Sequence, residues 1–523
     1  MTFQSILFPN PDEAADEDAE EQAADEAGDQ QVTKPEFFSD LNLDQIVATI
    51  TAGRQEYDLT DFFHTPLVEV DEIEFRQEVM RDLEDAQLIG AIQSFAEAMR
   101  TVREHLVQAK KPTYKAERER WFVDAAEVYC DAITRLVNDF SGAQIASRGL
   151  SGFKEFVTDY AESERFQWHL EQVKQVKAEL GSIRYDLIIS RLRIEVPTFN
   201  EGPEYSTEIE ELFERFRQGD VEPFPFKVSQ SDALSKVESM ILDRVAHRHP
   251  VAFNGMDAFC RRHRNFLNQT IVDFDREIQF YVAYLEHIDR LRHAGLKFCY
   301  PSVSCDSKES YSVGGFDLAL ANTQVDEDRE IICNDFELSG AERIVVVTGP
   351  NQGGKTTFAR AFGQTHYLAS LGCPVPGSKA RLPICDKIFT HFERQEDIAD
   401  LSGKLKDDLT RVRTILDEAT PRSLFVVNEI FSSTSLRDAS ALSRNIAARL
   451  IELDLLCLWV TFVDELASFG EQTVSMVSTV EPDSPAERTF RIVRRPADGL
   501  AYALSIAEKH RLTRDMIKKR LNS

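Results

Sequence analysis

Between Leu41 and about Leu296 apolar residues recur at intervals of three and four. The runs "EIEFRQEVMRDLEDAQLIGAIQSFAEAMRTVREHL", "FVDAAEVYCDAITRLVNDF" and "IVDFDREIQFYVAYLEHIDRLRHAGL" each place them on one face at a period near 3.6, which predicts amphipathic helices. Prolines and glycines break that rhythm in "VPTFNEGPEYSTEIEELFERFRQGDVEPFPF", predicting a break between two helical arms. After "KFCYPSVSCDSKES" the period changes. "ERIVVVTG", "SLFVVNE", "LLCLWVTF", "TVSMVSTV" and "RTFRIVRR" are short β-branched runs, several apolar on both faces, separated by helical stretches such as "DASALSRNIAARLIEL". That alternation predicts an α/β domain around a mainly parallel sheet. A last helix, "TRDMIKKRL", is expected to start at a Thr513 cap.

Length and charge add the frame. With 523 residues the chain has room for two or three domains. Its net charge is −29, and residues 1–40 hold twelve acids against the single Lys34, so the body still carries −18. Residues 1–38, with "DEAADEDAEEQAADEAGDQQ", are expected to form an acidic disordered tail. An acidic body argues against broad adhesion to nucleic acid but leaves room for local basic surface. Two such patches stand out: "KKPTYKAERER", with Lys110, Lys111, Lys115, Arg118 and Arg120, and "CRRHR", with Arg261, Arg262 and Arg264. Each is accompanied by aromatics, as a surface tracking a phosphate backbone would be, and each also reads as a solvated helix face. The eight cysteines lie far apart without a C-x-x-C pair, which gives neither a zinc site nor a disulfide framework. The start has no basic leader and no run of about 18 apolar residues occurs, so a cytoplasmic protein without membrane contact is expected.

The sharpest chemical signal is "VVVTGPNQGGKTTFAR", which holds G-x-x-x-x-G-K-[ST] directly after an apolar run and before a helical one. Such a loop turns its backbone N–H groups inward around phosphates. Gly349, Pro350, Asn351, Gln352, Gly353, Gly354, Lys355, Thr356 and Thr357 are the candidate nucleotide-binding residues. Lys355 would reach the outer phosphates and Thr356 would ligate Mg²⁺, with the helix N-terminus adding positive potential. The cofactors expected are ATP and Mg²⁺.

"TGPNQGGKTT", followed by "DKIFTHFERQEDI", "NEIFSSTSLRDA" and "VTFVDEL" at this spacing, resembles the ATPase domain of MutS proteins, the ABC-type ATPases of DNA mismatch repair. The resemblance covers residues 297–523, and "DLTDFFHTPLVEVDEIEFRQEVMRDLED" extends it to the start of the family's helical core. It implies a multidomain protein: an α-helical lever and clamp core over residues 39–296, joined to an α/β phosphate-loop ATPase domain of ABC type over 297–523 that ends in a helical dimerisation segment. It also implies a homodimer and DNA, duplex or branched, as a partner, and leaves any repair-protein partners open. By position, Glu429 would be the general base, acting with Lys355, and Asn351 would contact the nucleotide. Ile331 and Ile332 would pack the adenine. Thr434, Ser435 and Asp438 would face the partner subunit, and Lys404, within "DLSGKLKDDL", would reach the partner's nucleotide.

Several positions depart from the family pattern. Asn428 stands where an aspartate usually serves the metal, and its carbonyl would hold a metal-bound water. Phe462 replaces the switch histidine, while Phe431 and Ser433 replace two glycines. Phe153-Lys154-Glu155, a match to the family's mispair-reading F-x-E, falls inside a helical run and reads as helix surface. Two functions follow: an ATP-hydrolysing dimer that clamps DNA, and a nucleotide-gated interaction protein that binds ATP with little turnover. ATP-driven remodelling of a protein partner without DNA is a third.

Overall fold

The computed structural model describes residues 3–9, 34–111, 114–190, 193–199, 236–393, 403–481 and 484–497, with 513, 514, 517 and 518. The acidic stretch of the tail, most of the proposed break between helical arms and most of the C-terminal helix lie outside the described residues. The chain divides into two compact units, one of residues 1–86, 145–153 and 276–523, the other of 87–144 and 154–275.

The helices used below are α1 (Leu43–Ile50), α2 (Val70–Asp82), α3 (Ala86–Gln108), α4 (Lys115–Gly142), α5 (Arg148–Glu162), α6 (Glu164–Gly181), α7 (Lys236–Arg248), α8 (Pro250–Arg262), α9 (Gln269–His293), α10 (Leu318–Asp326), α11 (Lys355–Ser370), α12 (Lys404–Glu418) and α13 (Leu436–Glu452).

The second unit is helical, as its periodicity dictates. Along α4 the buried positions Val123, Ala126, Tyr129, Cys130, Ile133, Leu136 and Phe140 keep to one stripe. The α6 N-terminus is capped by Ser163, whose hydroxyl accepts from Phe166 N at 3.3 Å, and α8 begins with Pro250, which has no N–H to lose there. Phe266 packs edge-on to Phe122 and Tyr129 to close the core. One departure from the all-helical expectation is a short antiparallel hairpin, β1 (Ile188–Ser190) with β2 (Arg193–Glu195), in which the Arg-Ile-Glu of β2 alternates at strand spacing.

The first unit is built on a six-stranded sheet. Its strands are β7 (Ile344–Thr348), β10 (Ile388–Phe392), β11 (Leu424–Asn428), β12 (Leu456–Val460), β13 (Thr473–Glu481) and β14 (Ser484–Arg494), in the order β10-β11-β12-β7-β13-β14. All neighbours run parallel except β13 with β14. Every residue of β7, β11 and β12 is buried, so continuous apolar runs replace the alternation of a half-exposed sheet. Phe425, Val427, Cys457 and Trp459 form one core with Val412 and Ile415 of α12 and with Ala439, Ile446, Ala447 and Leu450 of α13. Helix α11 is buried along nearly its whole length. Gln364 near its middle accepts from Leu318 N at 2.8 Å and donates to Leu41 O and to Asp317, each at 2.8 Å, so both ends of its amide are used. Smaller sheets flank this core: β4 (Ser302–Ser304), β9 (Lys379–Pro383), β5 (Ser310–Gly315) and β6 (Asn334–Leu338) in that order, and β3 (Phe298–Cys299) with β8 (Val375–Pro376).

Two expectations are corrected. Residues 3–9 and 34–38 do not belong to a solvated tail, since Ile6, Leu7 and Phe38 are wholly buried in the first unit. The averaged acidity of residues 1–38 hid a short apolar run on one side of the carboxylates and a Phe pair on the other. Phe153 is core rather than helix surface: it is fully buried, with Phe3 edge-on at 5.2 Å.

Candidate phosphate-binding site

Buried strand β7 ends at Thr348 and α11 begins at Lys355, with Gly354 at its N-cap. The six residues between must reverse direction tightly. Gly349, Gln352 and Gly354 do so with φ of 117°, 61° and 87°, conformations that turn successive N–H groups toward one concavity. Strand β13 closes the back of the loop. A Cβ on Gly349 would lie 2.8 Å from Ser478 O, and one on Gly353 would lie 2.3 Å from Ser478 Oγ, which itself donates to Gly353 O at 2.6 Å. Ser478 therefore enforces both glycines, a role for which the sequence offers no signal.

Lys355 is 6% exposed, and its ammonium points back into the loop, donating to Gly349 O at 3.1 Å, Pro350 O at 3.3 Å and Asn351 Oδ1 at 3.2 Å. The carboxylate facing it is Glu429, at 3.4 Å. The ammonium is thus held by three neutral oxygens and balanced by one half-exposed carboxylate, so an anion in the concavity would compete with Glu429 for it. Next to Lys355, the Thr356 hydroxyl donates to Asn428 Oδ1 at 3.2 Å. The two residues expected to serve Mg²⁺ thus meet, and both present neutral hard oxygens that suit that ion when phosphates bring the charge. Among the described residues no cluster of three or more His, Cys, Asp or Glu is placed to hold a metal.

Glu429 follows the last residue of β11 with φ of 54°, and Phe431 has φ of 63° while its side chain is fully buried. Left-handed backbone costs a non-glycine residue about 1–2 kcal/mol. Phe431, one of the two positions where the family pattern has glycine, therefore keeps a left-handed backbone, and burial of its side chain holds it. Ile331 and Ile332 are half-buried just before β6, and Asn334 ties that strand to β14 by donating to Phe490 O at 3.2 Å and accepting from Ile492 N at 2.7 Å. Phe490, half exposed with φ of 56°, lies against Gly354, its Cα 3.6 Å from where a Cβ would be. Asn351, Gln352 and Thr357 stay at the rim or half-buried, and Asn351 O accepts from Arg488 Nε at 3.3 Å.

The residues expected to face a second subunit are placed less uniformly. Ser435 is the N-cap of α13, accepting from Asp438 N at 3.2 Å and donating to the Asp438 carboxylate at 2.8 Å, so this pair already has a structural task. Thr434 is half-buried just before it. Lys404, the first residue of α12, is engaged within its own chain by Glu393 and by Ser432 Oγ at 3.2 Å. Deeper in the same joint, His391 of β10 meets Asp408 of α12 at 3.0 Å, a buried pair that sequence spacing did not reveal. Phe462 is 44% exposed.

The two basic patches come together in the second unit. Asp257 of α8 pairs with Lys115 at 2.6 Å and also with Arg261, while Arg262 lies over Trp168 at 5.7 Å. Arg120 is drawn to Asp124 at 3.0 Å. Lys110, Lys111, Arg118 and Arg264 are exposed.

The fold and loop define a class: a mainly parallel α/β domain with a glycine-rich loop between a buried strand and a buried helix. Residues 345–520 match the family model "MutS domain V". The chain is 31% identical over 180 residues to the DNA mismatch repair protein MutS of Shouchella clausii, covering 34% of this chain and 21% of that protein. It is 35% identical over 147 residues to MutS of Natronomonas pharaonis, covering 28% of this chain and 16% of that protein. With the DNA mismatch repair protein MSH3 of Yarrowia lipolytica it shares 28% identity over 304 residues, 56% of this chain and 29% of that protein. Residues 345–520 thus form a part similar to the MutS family, and the matched parts of the chain span less than a third of each of these relatives. No helix among the described residues is long and apolar enough to cross a membrane.

Proposed function

We propose that the chain is an ATPase that binds ATP with Mg²⁺ at the Gly349–Thr357 loop, hydrolyses it slowly, and uses the nucleotide to gate a dimeric DNA clamp in mismatch repair or related DNA metabolism. The observation that carries this reading is the convergence of Lys355, Thr356, Asn428 and Glu429 at one glycine-rich turn. Bound ATP would bring phosphates that exchange neutral carbonyls for anionic oxygens around Lys355. Thr356 and Asn428 would hold Mg²⁺, directly and through water, and the ion would supply charge neutralisation between phosphate oxygens. Glu429, released from Lys355 as the phosphates take over that ammonium, would orient the attacking water and accept its proton. Because Asn428 brings no negative charge, the site would demand more Mg²⁺ than one with aspartate there. A DNA contact is supported by the meeting of the two basic patches around Asp257 and by the names of the relatives, which are mismatch repair proteins.

A second reading, a nucleotide-gated interaction protein with little turnover, is favoured by Asn428 alone. Binding is tested by titrating the wild type and Lys355→Ala with a fluorescent ATP analogue and Mg²⁺. Saturable binding by the wild type and a loss of at least about tenfold in the variant are expected, since a charge-assisted contact is worth more than about 1.4 kcal/mol. Equal affinity in the two would remove the phosphate-loop assignment.

A further inference from the structure

Residues Phe3 to Pro9 precede a 24-residue stretch, 10–33, that contains ten carboxylates, no base and no aromatic. The short apolar segment itself is seated in the first unit without joining any sheet or helix. Instead, buried and half-buried side chains read its backbone. Ile6 N donates to Glu277 Oε2 at 2.9 Å, Tyr281 donates its hydroxyl proton to Ile6 O, and Arg76 Nε donates to Leu7 O at 3.1 Å. The Ser5 hydroxyl lies 3.0 Å from both oxygens of Glu277 and also accepts from Leu7 N at 3.0 Å, which fixes the bend. Ile6 and Leu7 are wholly buried, Phe3 lies edge-on to Phe153, and Phe8 lies under the Arg76 guanidinium at 5.1 Å.

Arg76 is the unusual element. It is fully buried in α2 with no carboxylate in an ion pair among the described residues, and it divides its hydrogen bonds between Leu7 O and Leu371 O, the latter at 3.3 Å at the C-terminal end of α11. A buried guanidinium needs acceptors, and one of its two comes from the segment. Side chains that recognise consecutive N–H and C=O groups of a bent segment, next to pockets for two aliphatics and an aromatic, are how a peptide site is built.

We propose that the groove formed by Arg76, Glu277 and Tyr281 is a binding site for a Ser-Ile-Leu-Phe peptide bent at its serine, occupied here by the chain's own Phe3–Phe8, and that this occupant can exchange. Because the segment belongs to the same chain as its groove, it competes intramolecularly and excludes dilute competitors.

The test uses the full chain with a site-specific protease site placed within residues 20–26, and a fluorescent peptide of residues 1–9 as probe. After quantitative cutting and gel filtration, the probe should enter the groove and raise its anisotropy, binding at least about tenfold more tightly than to the uncut chain. A probe carrying Leu7→Asp should not bind, and Glu277→Gln in the cut chain should weaken the normal probe about tenfold, with circular dichroism unchanged. Retention of the cut segment against millimolar probe without any exchange, or unfolding of the chain when the segment leaves, would make it an integral part of the core and overturn the proposal. Concentration-dependent dimers of the uncut chain whose monomers accept the probe would assign the occupant to a second copy instead, and would equally overturn it.

Discussion

Replacing Gly353 by alanine tests how tightly β13 clasps the Gly349–Gly354 loop. The backbone at Gly353 is not left-handed, so the methyl brings no φ strain and acts as a steric probe alone. It would sit 2.3 Å from Ser478 Oγ and 3.0 Å from Pro350 O, and the first contact cannot stand without movement. Overpacking of this kind costs about 1–3 kcal/mol. Ser478→Ala alone loses the 2.6 Å bond and strands Gly353 O in the interior, again about 1–3 kcal/mol. The two costs share one oxygen. Without Oγ the tightest contacts left to the new methyl are Pro350 O at 3.0 Å and Ser478 Cβ at 3.3 Å, which shifts of a few tenths of an ångström relieve. The double variant should therefore fall short of the sum of the singles by about 1–2 kcal/mol. Trp459 is fully buried in the same sheet, so with Trp121 and Trp168 changed to Phe its emission reports urea unfolding of this unit. Additivity within about 0.5 kcal/mol would mean that Ser478 and Gly353 do not touch, and the account of the clasp would fail.

Asn428→Asp should keep nucleotide affinity and reach half-maximal turnover at lower Mg²⁺, which a metal titration of ATP hydrolysis reads directly. Lys404→Ala frees Glu393 and Ser432 within its own chain, and it should leave monomer ATP affinity within about twofold while lowering ATP-induced dimerisation, measured by light scattering. Reversing Lys110, Lys111 and Lys115 to Glu should weaken duplex DNA binding and flatten the slope of log K against log salt by about one unit for each phosphate no longer neutralised. Burial pulls His366 in α11 from its usual 6.5 down to about 4, so the unfolded chain takes up its proton first. The stability this group contributes is therefore complete above pH 6.5 and is lost as the pH falls toward 4, by up to about 3 kcal/mol. Denaturant midpoints of His366→Gln should accordingly fall less steeply than those of the wild type over that interval.

The parts of the molecule governed by local rules were legible in the sequence. Runs such as Ile344–Thr348 and Leu456–Val460 could only be doubly covered strands, and the glycine spacing around Lys355 fixed a loop between strand and helix. Contacts set by tertiary placement were not legible. Ser478 lies more than a hundred residues from the loop it clasps, and His391 and Asp408 meet only because α12 returns onto β10. Composition misled where it averaged: ten carboxylates in residues 10–33 concealed the packed Ser-Ile-Leu-Phe run before them. The basic patches were found in sequence, but their convergence on Asp257, which neutralises part of each, depends on how α8 packs beside α4.

Turnover is the central claim, and it rests on Glu429 acting beside an asparagine. Wild type and Glu429→Gln should be compared in single-turnover ATP hydrolysis across a Mg²⁺ titration, with dimerisation confirmed in each sample. The account expects slow hydrolysis by the wild type that saturates at high Mg²⁺, and none by the variant, which should accumulate as an ATP-bound dimer. Equal, background rates for the two proteins at every Mg²⁺ concentration would contradict it and leave a site that binds nucleotide without cleaving it.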